Sequence, residues 1–303
     1  MITLTNERQI IFSPKNWAEI EELPGYVKGI DPTKHKLKAI IGSYYLKDIH
    51  CGLSECNSSH DKGYIAQTQS GVVTNVGHIC GKKYFGVDFT TFANQHNREV
   101  IAKSHRDLLF TFSLQLEELE GEVSELRSTE FGVDWIYKSS QELVTRGKSC
   151  PDEVVKTFGA MIKSRSNILK KERPATEAEI KAHALARSKN SPQLRYVEET
   201  VAVISGMEVL FEENDLKRLV VDDVLENVKL FKKLTIDNLT FSELNRWAKW
   251  VNSLDITKDN IRSSMSSGLV LLTQFNLEPF LKIISKNESL KDFGKFLRKL
   301  PAT

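Results

Sequence analysis

Cys51-Gly-Leu-Ser-Glu-Cys56 and, further on, Gly77-His78-Ile-Cys80-Gly81 place three of the four cysteines of a 303-residue chain in one short window. His60 lies inside that window and His50 precedes its first cysteine. Cysteine and histidine clustered at such spacings are ligands for zinc, which takes four of them in a closed structural site. Cys51, Cys56 and Cys80 are three candidate ligands. The fourth is His78, in the second ligand pair, or alternatively His60, four positions after Cys56. Between the two pairs, residues 64–68 and 72–76 are rich in β-branched and aromatic side chains, and Ser70-Gly71 separates them. That pattern predicts a β-hairpin. A short helix is expected from about Cys80, whose thiol its N-terminus would help to ionise. Gly52 and Gly81, each just after a cysteine, let the backbone turn closely around a metal.

The order of tight cysteine loop, hairpin and helix resembles the treble-clef zinc finger, although Cys-x4-Cys is wider than the usual Cys-x2-Cys. The composite Cys-Gly-Leu-Ser-x-Cys, His-x-x-Gly-Tyr and Thr-Asn-Val-Gly-His-x-Cys-Gly-Lys-Lys-x-Phe-Gly, spanning about residues 50–90, is similar to uncharacterised proteins encoded by bacterial phages and prophages. The resemblance implies a zinc module and a bacterial or phage origin, and brings no known activity.

Around this module the sequence reads as mainly α: a small α+β zinc-binding domain over 1–90, a long heptad helix over 91–130 and a multi-helix body over 131–303. Ser13-Pro14 signals a helix over 14–22, and residues 36–46 alternate as a strand. Ala102, His105, Leu109, Phe112, Leu116, Leu119, Val123 and Leu126 follow the spacing of a coiled-coil seam. Its partner is another helix of the chain or a second protomer, which makes 102–126 a possible homo-oligomer contact. Thr176 with Glu179 and Thr240 with Glu243 match the capping box, while Ser149 before Pro151 and Ser191-Pro192 mark further helix starts.

Charged residues make up 27% of the chain and nearly cancel, at net +2, so no overall field selects nucleic acid or membrane. No apolar run approaches the ~20 residues of a membrane span. The first residues lack a basic-then-apolar leader, and clustered cysteines suit a reducing compartment, so a cytoplasmic location is expected. Lys82 and Lys83 beside the cysteines, and Lys163, Arg165, Lys170, Lys171 and Arg173 along what reads as one helix end, are candidate phosphate contacts. We therefore expect a non-enzymatic protein with one structural Zn2+ that binds a macromolecule, nucleic acid first. A protein-binding or oligomerising scaffold in phage–host conflict is the alternative. A third reading is a metal-dependent His-Asn-His-type nuclease drawing on His60, Asn75, His96 and Asn97, but no Asp-His pair opens the hairpin.

Overall fold

The computed structural model describes residues 2–6, 10–56, 58–185 and 194–302. A mixed α/β N-terminal region is followed by a long series of helices. Contacts divide the chain into two compact units. The first comprises Met1–Ser113 with Thr235–Val251, and the second Leu114–Leu234 with Asn252–Thr303.

The first unit is built on an antiparallel sheet of β1 (Ile2–Thr5), β2 (Ile11–Phe12), β3 (Leu37–His50), β4 (Ser59–Thr68) and β5 (Val73–Gly77), in the order β2-β1-β3-β4-β5. The hairpin is where the sequence put it, with Tyr64 opposite Val76 and Gln67 opposite Val73. Alternation along β4 sends Tyr64 and Ala66 to one face and Ile65 to the other. Phe89, Ala93, Cys51, Cys56 and Leu53 cover the first face, whereas Ile20, Trp17 and Leu23 from the segment before β3 cover the second. That segment holds only a short helix α1 (Ala18–Glu21) instead of the expected 14–22 turn, because Ser13 and Pro14 stay non-helical and the backbone bends through residues 15–17.

Helix α2 (His78–Ser113) starts directly from β5 and breaks at Gly86, whose φ of 56° is open to glycine. The heptad seam is not one continuous helix. The chain turns at Leu114-Gln115 and restarts as α3 (Leu116–Ser128). Ala102, Leu109, Phe112, Leu116, Leu119 and Val123 of the seam are buried, whereas His105 and Leu126 are half-buried.

The second unit contains α3, α4 (Val133–Val144), α5 (Asp152–Ser164), α6 (Glu177–Leu185) and α7 (Glu226–Phe231), with the later helices that follow residue 252. The predicted all-helical body is interrupted by an antiparallel ribbon of β6 (Ile168–Pro174) and β7 (Tyr196–Val203). Val197, Thr200, Val201 and Val203 explain β7: β-branched residues favour a pleated backbone. Both capping boxes form. Thr176 and Thr240 each bond the backbone N–H three residues on, and Glu179 and Glu243 bond back. Ser191-Pro192 lies outside the described residues, and Pro151, not Ser149, caps α5.

Two glycines of this unit separate backbone strain from steric exclusion. Gly147 and Gly206 have φ of 76° and 73°, but a Cβ at Gly147 meets nothing within 4 Å while one at Gly206 collides with the Ser267 carbonyl oxygen. Gly147→Ala should cost about 1 kcal/mol and Gly206→Ala about 3 kcal/mol in denaturant unfolding. Equal costs would show that the Ser267 contact relaxes freely.

Candidate metal centre

The site begins with a bulge. Pairing between β3 and β4 slips between Tyr45 and Ile49, and Asp48 takes a φ of 58°. The strand then delivers His50 and Cys51 to the end of the sheet. From there the Cys51–Cys56 loop folds back: the Cys51 N–H donates to the Ser58 carbonyl at 3.1 Å and the Cys56 N–H to the Leu53 carbonyl at 3.1 Å. The loop is clamped on both sides. Gly52 donates to the Asn75 carbonyl at 2.8 Å and accepts from Gly29 and Ile30 at 2.8 and 3.1 Å. A Cβ on Gly52 would strike Thr74 Oγ1, so only glycine allows this approach. On the other side, Cys80 projects from the first turn of α2, and Gly81 leaves room for the Phe89 ring.

These elements bring the Sγ atoms of Cys51, Cys56 and Cys80 within 4.8 Å of one another. Cys56 and Cys80 are in thiol contact at 2.9 Å. Cys51 and Cys56 belong to the hydrophobic cluster beneath α2, and Cys80 packs against it. Among the described residues no histidine nitrogen joins the three sulfurs within that limit. His78 is set between the rings of Tyr64 and Phe89, at 6.0 and 6.2 Å between centroids. His60 Nε2 is bonded at 2.5 Å to the Tyr44 hydroxyl. Both imidazoles carry a buried Nδ1 with no hydrogen-bond partner. The fourth cysteine, Cys150, is buried alone in the second unit.

Burial governs the chemistry of the thiols. It raises the pKa of Cys51 against hydrogen bonds from the Gly77 and Leu53 amides, and with the Cys56 contact it pushes Cys80 up to about 12. Burial therefore overrides the expected ionising effect of the helix N-terminus on Cys80. At Cys56 burial also acts upward, but hydrogen bonds from Cys80 and Ser58 outweigh it and the net shift is downward. Burial lowers the pKa of His60 and His78, keeping both imidazoles neutral and able to donate a lone pair. Soft sulfur donors with neutral imidazole at hand fit zinc.

The residues compared above with a nuclease have other partners. Asn75 is fully buried, its amide donating to the His50 carbonyl at 2.7 Å and to Tyr44 Oη at 3.2 Å while its carbonyl accepts from Tyr26 at 2.9 Å. His96 is buried against Ser43, and Asn97 donates to Tyr64 Oη. Sequence reasoning missed this Tyr26–Asn75–Tyr44–His60 network. Its members are dispersed over 49 positions and no spacing rule links them.

Lys82 and Lys83 are exposed in the first turns of α2 and make no ion pair among the described residues. The second basic run does not form a free patch. Arg165 caps α5 and pairs with Glu213, and Lys170 and Arg173 on β6 pair with Glu198 and with Glu179 and Glu199. Lys171 donates to the Lys282 carbonyl. Lys163 ends α5 and has no such partner among the described residues. No family model, curated protein or solved structure matches the chain.

Metal must displace protons from at least two thiols whose pKa values burial has raised. Zinc affinity should therefore climb about a hundredfold per pH unit between pH 6 and 8, read by chelator competition. An affinity independent of pH would mean that the thiols are already ionised before metal arrives.

Proposed function

We propose that the first unit carries one structural zinc ion and that the protein is a non-enzymatic, macromolecule-binding protein, nucleic acid being its first partner class. The observation that carries the zinc assignment is the convergence of Cys51, Cys56 and Cys80 inside a hydrophobic core. A sulfur-rich site embedded in packing residues suits a structural metal, which would lock the loop after β3 to the start of α2. The sequence order of loop, hairpin and helix supports a treble-clef-like reading.

Lys82 and Lys83 support nucleic acid as partner. They stand one and a half turns or less from the helix start, beside the thiol cluster, with ammonium groups uncommitted to carboxylates among the described residues. Because Arg165, Lys170 and Arg173 are paired with carboxylates, phosphate contact is assigned to Lys82 and Lys83 ahead of that run.

A second reading, a protein partner, is favoured by a specific surface of the same unit. A groove of about 1030 Å³ runs beside α2, lined by Ile10, Arg98, Ala102, Arg106, Phe110 and Phe241 among others. Ile10 and Phe110 remain 54% and 45% exposed there, which suits an amphipathic protein segment better than a phosphate backbone. In the phage–host reading this groove would be the contact surface.

Metal analysis of the purified protein with a salt-varied DNA and RNA binding titration tests these assignments together. We expect one zinc per chain and an affinity that falls steeply with salt. Lys82→Glu with Lys83→Glu should flatten the log–log salt slope by about 2, as for two lost phosphate contacts. Metal-loaded protein with salt-insensitive or absent binding would overturn the nucleic-acid reading in favour of the groove.

A further inference from the structure

The three sulfurs leave one position of a tetrahedral zinc to be filled, and resting on the zinc reading above, the surrounding hydrogen bonds bear on which group fills it. A buried Nδ1 without a partner does not discriminate, because His60, His78, His96 and His105 all have one. The other ring nitrogen does. A metal-bound imidazole characteristically donates its remaining N–H to an oxygen, which fixes the tautomer and the ring plane. His60 has such a partner in Tyr44 Oη, which Asn75 Nδ2 also approaches at 3.2 Å. His78 makes no hydrogen bond on either nitrogen among the described residues and is held by ring contacts alone.

The backbone around His60 has the same bias. Gly63 and Gly77 face each other across β4 and β5, and their missing side chains make a slot for the imidazole. A Cβ at Gly77 would lie 3.0 Å from His60 Nδ1, and one at Gly63 would lie 2.8 Å from His60 Nε2. The Gly77 amide in turn lies near enough to the Cys51 sulfur to favour its thiolate. His60 Nδ1 and Cys51 Sγ are thus both neighbours of the one residue, Gly77. Nδ1 makes no hydrogen bond of good geometry, and a metal there would satisfy the buried atom.

We propose that His60, through Nδ1, completes a site of three cysteines and one histidine with Cys51, Cys56 and Cys80, and that Tyr44, anchored by Asn75, is the positioning residue that holds the ring. Loading requires local adjustment. Two thiolates on one zinc stand about 3.8 Å apart at Zn–S bonds near 2.3 Å, wider than the 2.9 Å between Cys56 and Cys80. The sulfurs separate as the metal enters, and His60 closes on it from the Gly77 side. Each thiol that is still protonated, Cys51 and Cys80 first, surrenders its proton to solvent, and the neutral imidazole donates a lone pair without losing one. The metal keeps its oxidation state.

The deciding experiment uses zinc-loaded full-length protein labelled with 15N-histidine. Long-range 1H–15N spectra should show His60 with a metal-shifted Nδ1 and a protonated Nε2, and His78 free. Chelator competition should show His60→Ala weakening zinc by about a hundredfold, His78→Ala by less than about threefold, and Tyr44→Phe by about tenfold. In the Tyr44→Phe protein loaded with cobalt, the absorption of a three-sulfur, one-nitrogen site should persist, with the His60 Nε2 proton exchanging faster with solvent. Metal bound to a protein whose His60 stays free, or affinity lost with His78 and kept with His60, would overturn this assignment while leaving the zinc reading intact. A wild-type chain that takes up no metal would overturn both. The wild-type spectrum decides the point even where the His60 variant fails to fold.

Discussion

The Gly52 peptide is held between β5 and the segment before β3, and the thiol site depends on that clamp. Its N–H reaches the Asn75 carbonyl and its own carbonyl receives Gly29 and Ile30, so the loop is fixed to the sheet by main-chain bonds. Cys51 and Cys56 consequently hang from a rigid frame. Cys80 reaches them from the opposite side only because β5 passes into α2 without a connecting residue. Remove the close approach at Gly52 and the two halves of the site lose their common reference, β5.

Asn75 makes the clamp and the polar network one structure. Its main chain holds Gly52, and its side chain holds the His50 carbonyl and Tyr44. A fully buried amide with its donors and acceptor occupied fixes a single arrangement, since each alternative leaves a polar atom unsatisfied. The same satisfaction removes Asn75 from any role that needs it to meet a substrate, which weighs against the nuclease reading.

Local signals carried what was legible in the sequence. The hairpin followed from β-branched runs around Ser70-Gly71 and the capped helices from Thr176/Glu179 and Thr240/Glu243, each within a few residues, and the cysteine convergence from spacing over the longer window from Cys51 to Cys80. What failed depended on partners far along the chain. The heptad spacing continues through Leu114-Gln115, but the helix stops there, and Phe112 instead meets Trp250, far along the chain, edge to face. The ribbon was hidden because Ile168-Leu-Lys-Lys-Glu-Arg reads as a basic helix end until Glu198 and Glu199 arrive across it. Charge runs in a sequence show only one side of an ion pair. The His60–Tyr44 pairing lay beyond reach for the same reason, being a contact between strands whose register a bulge has shifted.

The location of the thiols also decides what a metal can do for this fold. Cys51 and Cys56 share a cluster with Leu53, Tyr64, Val76 and Phe89, so in the metal-free protein they can be buried as protonated, weakly polar groups. The sheet has a second apolar layer of its own in Ile2, Leu4, Ile20 and Ile65, remote in composition from the cysteines. Binding energy of the proposed metal would therefore go to the loop and to the segment 78–85 before the Gly86 break, whose few turns could not hold a helix by propensity alone. That segment also carries Lys82 and Lys83. A metal held as proposed by Cys51, Cys56 and Cys80 would order the element that carries Lys82 and Lys83 more than it holds up the sheet, and would couple the chemistry of two buried thiols and one half-buried thiol to that exposed turn.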